Sequence, residues 1–280
     1  MDDLKSLLKS GIQESVQSIV PIGGGSINNT YRVKTSGQTY FVKVNRHVPE
    51  DFFDKEAEGL SLIAKTNKIR VPRVLFKGPS LLVLEYIDRG RESKAFWKNL
   101  GYSLADLHKV TEASYGLAAS NYIGSLEQLN GWYSSWPEFF VERRLLPLGK
   151  KALKKGRLEG RAMELLEQLC GKMKDLLPHE PPSLLHGDLW SGNVMAGLSE
   201  EPVLVDPAVY FGNREIEIAF TTLFGGFDSL FYEAYQESFP LEKNFEERID
   251  LYNLYPLLVH VNLFGGGYSN SVWTILRRFA

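Results

Sequence analysis

Apolar and polar positions divide the chain into two halves of different rhythm. In the first, "YFVKVN" alternates strictly: Tyr40, Val42 and Val44 fall on one side, and Phe41, Lys43 and Asn45 on the other. That period of two predicts a strand and assigns Lys43 to a definite face. The longer stretch "IVPIGGGSINNTYRVKTSGQTYFVKVN" reads as strand, glycine turn, strand, "TSGQ" hairpin, strand. "EDFFDKEAEGLSLIAKT" follows a helical period, with Phe52, Glu56, Leu60 and Ile63 on one stripe. Glu56 is therefore expected to face inward, where a carboxylate needs a partner. "VPRVLFKG" and "SLLVLEYI" predict two more strands, ending near Glu85. "DDLKSLL" at the start reads as a helix with Leu4, Leu7 and Leu8 on one side.

Beyond "IDRGRES" the rhythm becomes mostly helical, beginning with Leu100, Leu104 and Leu107. "PVLVDPAVY" is the clearest strand of this half, and amphipathic helices are expected from there to the end. The fold class read from this pattern is α+β. It comprises a small β-rich lobe over residues 1–85 and a larger, mainly helical lobe over residues 86–280.

Composition changes this picture little. The 280 residues, 44% hydrophobic and 24% charged, suffice for a sizeable core. A formal net charge of −2 argues against a nucleic-acid binder. The basic stretch "ERRLLPLGKKALKKGRLEGR" (142–161) reads as a solvated helical face, with a docking surface for an anionic partner as the alternative. Cys170 is the single cysteine, which excludes an intramolecular disulfide and a multi-cysteine zinc site. No run of apolar residues reaches the ~20 that a membrane span needs, so a soluble, cytoplasmic protein is expected.

Candidate chemistry lies at five places in order along the chain. They are the turn Gly23-Gly24-Gly25-Ser26, then Lys43, Glu56, the segment "HGDLWSGN" and the segment "VLVDPA". Nucleotide phosphotransfer uses such parts: backbone amides and a lysine for the phosphates, a carboxylate for the lysine, metal ligands, and a base for the acceptor hydroxyl. Asn193 follows Asp188 by five residues and Asp206 follows Asn193 by thirteen, the spacing of a kinase base and its two metal ligands. Mg²⁺ takes few protein oxygens and keeps water, so an amide, a carboxylate and ATP phosphates suffice. Glu85, Tyr86 and Ile87 stand at the lobe junction, where adenine is expected to meet the backbone. Trp190, two residues after the base, offers a flat face to a sugar acceptor. His186 is read as a brace for the loop, and Arg214 with Glu215 as a structural ion pair outside the site. Trp132 and Trp136 suit either the core or the wall of an acceptor cleft.

The chain resembles the fructosamine kinase (ketosamine-3-kinase) family, within the aminoglycoside phosphotransferase and choline kinase group of protein-kinase-like folds. The resemblance rests on "GGGSINNTYRV", "YFVKVN", "LADLH", "LLHGDLWSGNV", "VLVDPAVYFGNREIEIAF", "LFGGF" and "LYNLYPLLVHVNLFGGGY", and covers nearly the whole chain. It implies a two-lobed ATP- and Mg²⁺-dependent kinase of ketosamines, commonly acting on O3 of the sugar and so promoting deglycation. Its partners would be free or protein-bound ketosamines. Two departures from protein kinases stand out: Gly187 replaces the arginine before the base, and Asp206-Pro207-Ala208 replaces Asp-Phe-Gly. Both point to a site assembled without phospho-activation. Ser26 stands where some relatives carry cysteine, so a thiol switch at that turn is not expected. The alternatives are a kinase of another alcohol (an aminoglycoside, choline or homoserine) and a catalytically dead nucleotide-binding scaffold.

Overall fold

A computed structural model describes residues 7, 8, 12, 14–23 and 27–279. Gly24, Gly25 and Ser26 lie outside the described residues, as does most of the helix expected at the start.

The first part of the chain forms one antiparallel sheet in the order β1-β2-β3-β5-β4. Its strands are β1 (Val16–Ile22), β2 (Asn29–Thr35), β3 (Thr39–Val44), β4 (Val74–Gly78) and β5 (Leu81–Glu85). The alternation in β3 sorts its residues as the sequence implies. Tyr40, Val42 and Val44 pack with Val33, Leu81, Val83, Leu8 and Ile12 in a small separate core. Phe41, Leu82 and Leu84 join the main core on the other face. Lys43 shares that second face and is 2% exposed, a burial that an ammonium bears only when paired.

Helix α1 (Phe52–Thr66) crosses this face and buries Phe52, Phe53, Ala57, Leu60 and Ile63. It ends at Asn67, whose left-handed φ of 55° closes the last turn. The helical part begins with α2 (Lys94–His108), where the Ser93 side chain accepts the Phe96 amide at 3.2 Å. Leu100, Leu104 and Leu107 are buried as their stripe requires. A two-strand hairpin, β6 (Asn121–Ile123) and β7 (Leu126–Gln128), follows. After it come α3 (Trp136–Phe139), a six-residue π-helix (Phe140–Leu145), α4 (Leu146–Lys154) and α5 (Gly160–Leu176).

Three expectations are corrected. "PVLVDPAVY" is not one strand but two short ones, β10 (Pro202–Leu204), paired with β9 (Val194–Ala196), and β11 (Tyr210–Gly212), paired with β8 (Ser183–Leu185). Between them Asp206 adopts a φ of 58°, which breaks any ladder. The basic stretch is solvated at its lysines, but Arg144 within it is fully buried. After α6 (Glu215–Thr221) and α7 (Ser229–Ser238), the 20-residue α8 (Phe245–Phe264) is buried almost all round rather than amphipathic, because it is the spine of this half. The last helix, α9 (Tyr268–Phe279), does bury one stripe of Val272, Ile275 and Leu276. Among the described residues no helix is long and apolar enough to cross a membrane.

Candidate active site

A cleft of about 520 Å³ opens between the sheet and the helical part. Lys43 reaches its floor from β3 and forms two ion pairs there, with Glu56 Oε1 of α1 at 2.6 Å and with Asp206 Oδ1 at 2.5 Å. Burial alone would push the ammonium down, but Asp206 and Glu56 outweigh it and raise the lysine above its ordinary value. The strand period and the helix stripe thus converge on one charged contact. Asp206 is the exposed member, with its side chain 49% accessible, and it lines the cleft.

Asp188 follows β8 (Ser183–Leu185) and a tight turn at Gly187, whose φ is 85°. A side chain at Gly187 would collide with the Ala208 carbonyl, so glycine is required there by space as well as by conformation. A 3-10 turn, Ser191–Asn193, then returns the chain so that Asn193 Nδ2 donates to the Asp188 carbonyl at 2.8 Å and to Asp188 Oδ2 at 3.1 Å. Burial, the charge of Asp206 and the more distant Glu217 raise the Asp188 carboxyl to about 7, against the pull of the Asn193 bond. A base poised near neutrality is matched to general-base work at physiological pH.

The amide of Asn193 is committed to Asp188 by its nitrogen, which leaves Oδ1 as a donor to a cation. Asp206 contributes a second hard oxygen. Among the described residues no cluster of three His, Cys, Asp or Glu side chains could hold a metal alone. This sparse oxygen set suits Mg²⁺ completed by phosphates and water, and does not suit zinc.

The loop is braced from behind by residues that the sequence reading left out. Glu217 of α6 accepts the His186 amide at 3.1 Å, the Gly187 amide at 2.7 Å and His108 Nε2 at 2.9 Å. Burial would raise this carboxyl, yet His108, His186 and the Gly187 amide together hold it below its usual range. His186 donates from Nε2 to the Val205 carbonyl at 2.9 Å and accepts the Asp188 amide at Nδ1, while burial lowers its proton affinity. His186 therefore braces the loop, as expected. Arg214 and Glu215 do not pair with each other: Arg214 bonds Glu180 at 2.7 Å and Glu215 takes Arg248 at 2.5 Å. An acid inside the apolar run "IEIA" was the available signal for Glu217.

Trp190 lines the cleft and faces Phe224 edge-on at 6.3 Å between ring centroids. Phe224 holds a left-handed φ of 56° and stacks near His260, 4.7 Å away, with Tyr268 beyond. His260 donates Nδ1 to the Pro256 carbonyl at 2.7 Å, burial lowers its proton affinity, and the residue lines the cleft. Phe224, His260 and Tyr268 fall in segments that carry the family resemblance, but apart from Trp190 no member of this wall was given a role in the sequence. Trp136 is core, 1% exposed, and Trp132 is 48% exposed; neither lines the cleft.

Two expected groups stand apart from this cavity. Gly23 is exposed at the end of β1, and neither it nor Glu85, Tyr86 and Ile87 lines the cleft. The Glu85 carboxylate instead binds Arg70 at 2.7 Å and Arg73 at 3.3 Å, and the Arg73 bonds and Arg70 keep it low despite partial burial.

A five-stranded sheet with one inward helix, joined to a helical half across a Lys–Glu–Asp contact and an Asp-x₄-Asn loop, defines the class of protein-kinase-like phosphotransferases. The fructosamine kinase family model matches residues 2–280, and the chain belongs to that family. A probable ketoamine kinase of Enterococcus faecium is 39% identical over 93% of this chain and 95% of its own. A chloroplastic protein-ribulosamine 3-kinase of Arabidopsis thaliana is 36% identical over 96% of this chain and 85% of its own. The crystal structure of a Thermobifida fusca protein assigned as a fructosamine-3-kinase superposes with a TM-score of 0.90 at 31% identity, covering 99% of this chain and 98% of that one. An aminoglycoside phosphotransferase in ternary complex with AMP-PNP and hygromycin B shares the fold at 13% identity, with a TM-score of 0.68 over 98% of both chains.

Proposed function

We propose that this protein is a cytoplasmic ATP- and Mg²⁺-dependent kinase that phosphorylates a sugar hydroxyl of ketosamines, at O3 for fructosamine or ribulosamine adducts, and so promotes their deglycation. The observation that carries this reading is the meeting of Lys43, Glu56, Asp188, Asn193 and Asp206 in one cleft with an aromatic far wall. Family membership and the names of the ketoamine and ribulosamine 3-kinase relatives support the acceptor class.

Each residue has a derivable task. Lys43, kept charged by two carboxylates, holds phosphate oxygens, and Glu56 holds Lys43 in place. Asn193 and Asp206 would hold Mg²⁺, which when bound offsets phosphate charge. Asp188 orients the acceptor hydroxyl and takes its proton as the γ-phosphoryl group moves to that oxygen. The family resemblance assigns the turn Gly23-Gly24-Gly25-Ser26 to the phosphates and the backbone at Glu85, Tyr86 and Ile87 to adenine, although neither Gly23 nor Glu85, Tyr86 and Ile87 lines the cleft around Lys43. Trp190 and Phe224 face the C–H side of the sugar, and His260 Nε2 accepts from one of its hydroxyls.

The test separates acceptor from nucleotide. With a ribulosamine of lysine as acceptor, ³¹P NMR of the product should show a monoester on O3, and Trp190→Ala should raise the acceptor KM several-fold, in line with stacking worth on the order of 1 kcal/mol. KM for ATP should stay within about two-fold. An unchanged acceptor KM in that variant would remove the aromatic wall from the site.

A further inference from the structure

We infer that Asn121 and Gln128, which face each other at the open end of the β6–β7 hairpin, are positioning residues that clamp the loop carrying Asp206. The loop Asp206-Pro207-Ala208-Val209 lies between two strands and has no ladder to satisfy its carbonyls, so these need other donors. Gln128 Nε2 donates to the Ala208 carbonyl and Asn121 Nδ2 to the Val209 carbonyl, each at 2.9 Å. The Ala208 amide is taken up on the opposite side by the His186 carbonyl at 2.8 Å. Asp206 is thus fixed between the catalytic loop and the hairpin.

The two amides are themselves oriented without ambiguity. Asn121 Oδ1 accepts from Gln128 Nε2 at 2.8 Å and from Asn130 Nδ2 at 3.0 Å. Gln128 Oε1 accepts the Tyr255 hydroxyl of α8. Asn130 Oδ1 accepts from Arg144 Nη2 at 2.9 Å, and Arg144 also donates to the Leu129 carbonyl. Asn121, Gln128, Asn130 and Tyr255 are all at most 6% exposed, and Arg144 is completely buried. Its guanidinium lies 4.2 Å over the Tyr210 ring and 4.6 Å over Phe139, which offsets part of its desolvation. The π-helix, a rare form often retained at functional positions, presents Arg144 to this network.

A chain of buried amides and one cation is costly to assemble, and hydrogen bonds offset that cost throughout except at Arg144 Nε, which has no hydrogen-bond partner. Its output is a fixed backbone at Ala208 and Val209, two and three residues after Asp206, which is held at positive φ. The same hairpin reaches the other half of the molecule. Tyr122 donates to Asp51 Oδ1 at 2.6 Å and packs against Phe52 at 5.0 Å, beside the helix that carries Glu56. The loop and the helix are thus tied to one hairpin, an arrangement that needs no phosphorylated segment to set Asp206.

The inference rests on reading Asp206 as the ligand-bearing carboxylate, but its first test needs no substrate. Hydrogen exchange of the full-length, ligand-free protein carrying Gln128→Met should speed the amides of 205–212 by roughly ten-fold or more, and leave those of 229–238 within two-fold of wild type. In the same variant kcat should fall at least about ten-fold, and the Mg²⁺ concentration for half-maximal rate should rise several-fold, while the acceptor KM holds within two-fold. If Gln128→Met does not fold, Asn121→Ser removes the bond to Val209 with less disturbance and carries the same readouts. Unchanged exchange over 205–212 would overturn the clamp, as would equal acceleration over 229–238. Accelerated local exchange with an unaltered kcat would also overturn it. An inactive wild type would instead count against the kinase reading and leave the exchange result standing.

Discussion

At the scale of single residues, the pH response should come from Asp188. Its carboxyl is raised to about 7 by burial and by the charge of Asp206, far above an exposed aspartate. A base must be ionised to take a proton, so kcat/KM should fall about ten-fold per pH unit below 7 and level off above it. Stability runs the other way. A carboxyl with raised proton affinity in the folded state adds stability below its unfolded pKa of ~4, and that stability is lost as pH rises through 7. Asp188→Asn should therefore lower kcat by roughly 10²–10⁴ and gain Tm relative to wild type between pH 5 and pH 8. A pH–rate profile and two thermal melts check both parts. A wild-type profile flat from pH 6 to 8 would place the base elsewhere.

At the scale of elements, the contact of β3 with α1 is the one to which the proposed function assigns the nucleotide. Lys43 is 2% exposed, and Glu56 Oε1 lies 2.6 Å from its Nζ. Lys43→Met should cut kcat/KM for ATP by about 10²–10³, and Glu56→Gln by less, since the amide still accepts one hydrogen bond and Asp206 remains. Steady-state kinetics at varied ATP decide the order, and a larger loss in Glu56→Gln would contradict it. This pair was legible in the sequence because each residue stands in a long periodic segment whose apolar members determine its direction. The catalytic loop was legible for another reason: its spacing from Asp188 to Asn193 to Asp206 is chemical rather than periodic. The hairpin was not legible, since its strands have three residues each and turn the polar Asn121 and Gln128 inward, the inverse of the usual pattern. Arg144 was hidden in the same way among exposed lysines. The break at Asp206 was missed because a positive φ at a non-glycine residue leaves no mark on hydropathy. Glu217 and Phe224 belong to the same group, as their roles depend on neighbours distant in the chain.

At the scale of the whole molecule, the two halves are also joined outside the cleft. Arg70 bridges Glu85 at the end of β5 and Glu201 of the helical half, and its carbonyl accepts the Leu204 amide at 2.9 Å. Its side chain is 41% exposed, so water screens these pairs to about 1 kcal/mol or less. Arg70→Ala should lower Tm by no more than a few degrees, on the order of 2–4 °C for a chain of this size. A collapse of Tm would show that the junction, and not the core, sustains the fold. The central claim is that the cleft serves ketosamines. One ADP-release assay, with the ribulosamine and fructosamine of lysine, choline and an aminoglycoside at matched concentrations, addresses it directly. A ketosamine should show the highest kcat/KM, with choline and the aminoglycoside near background. A higher kcat/KM for choline or the aminoglycoside would contradict the ketosamine assignment while leaving the kinase fold intact.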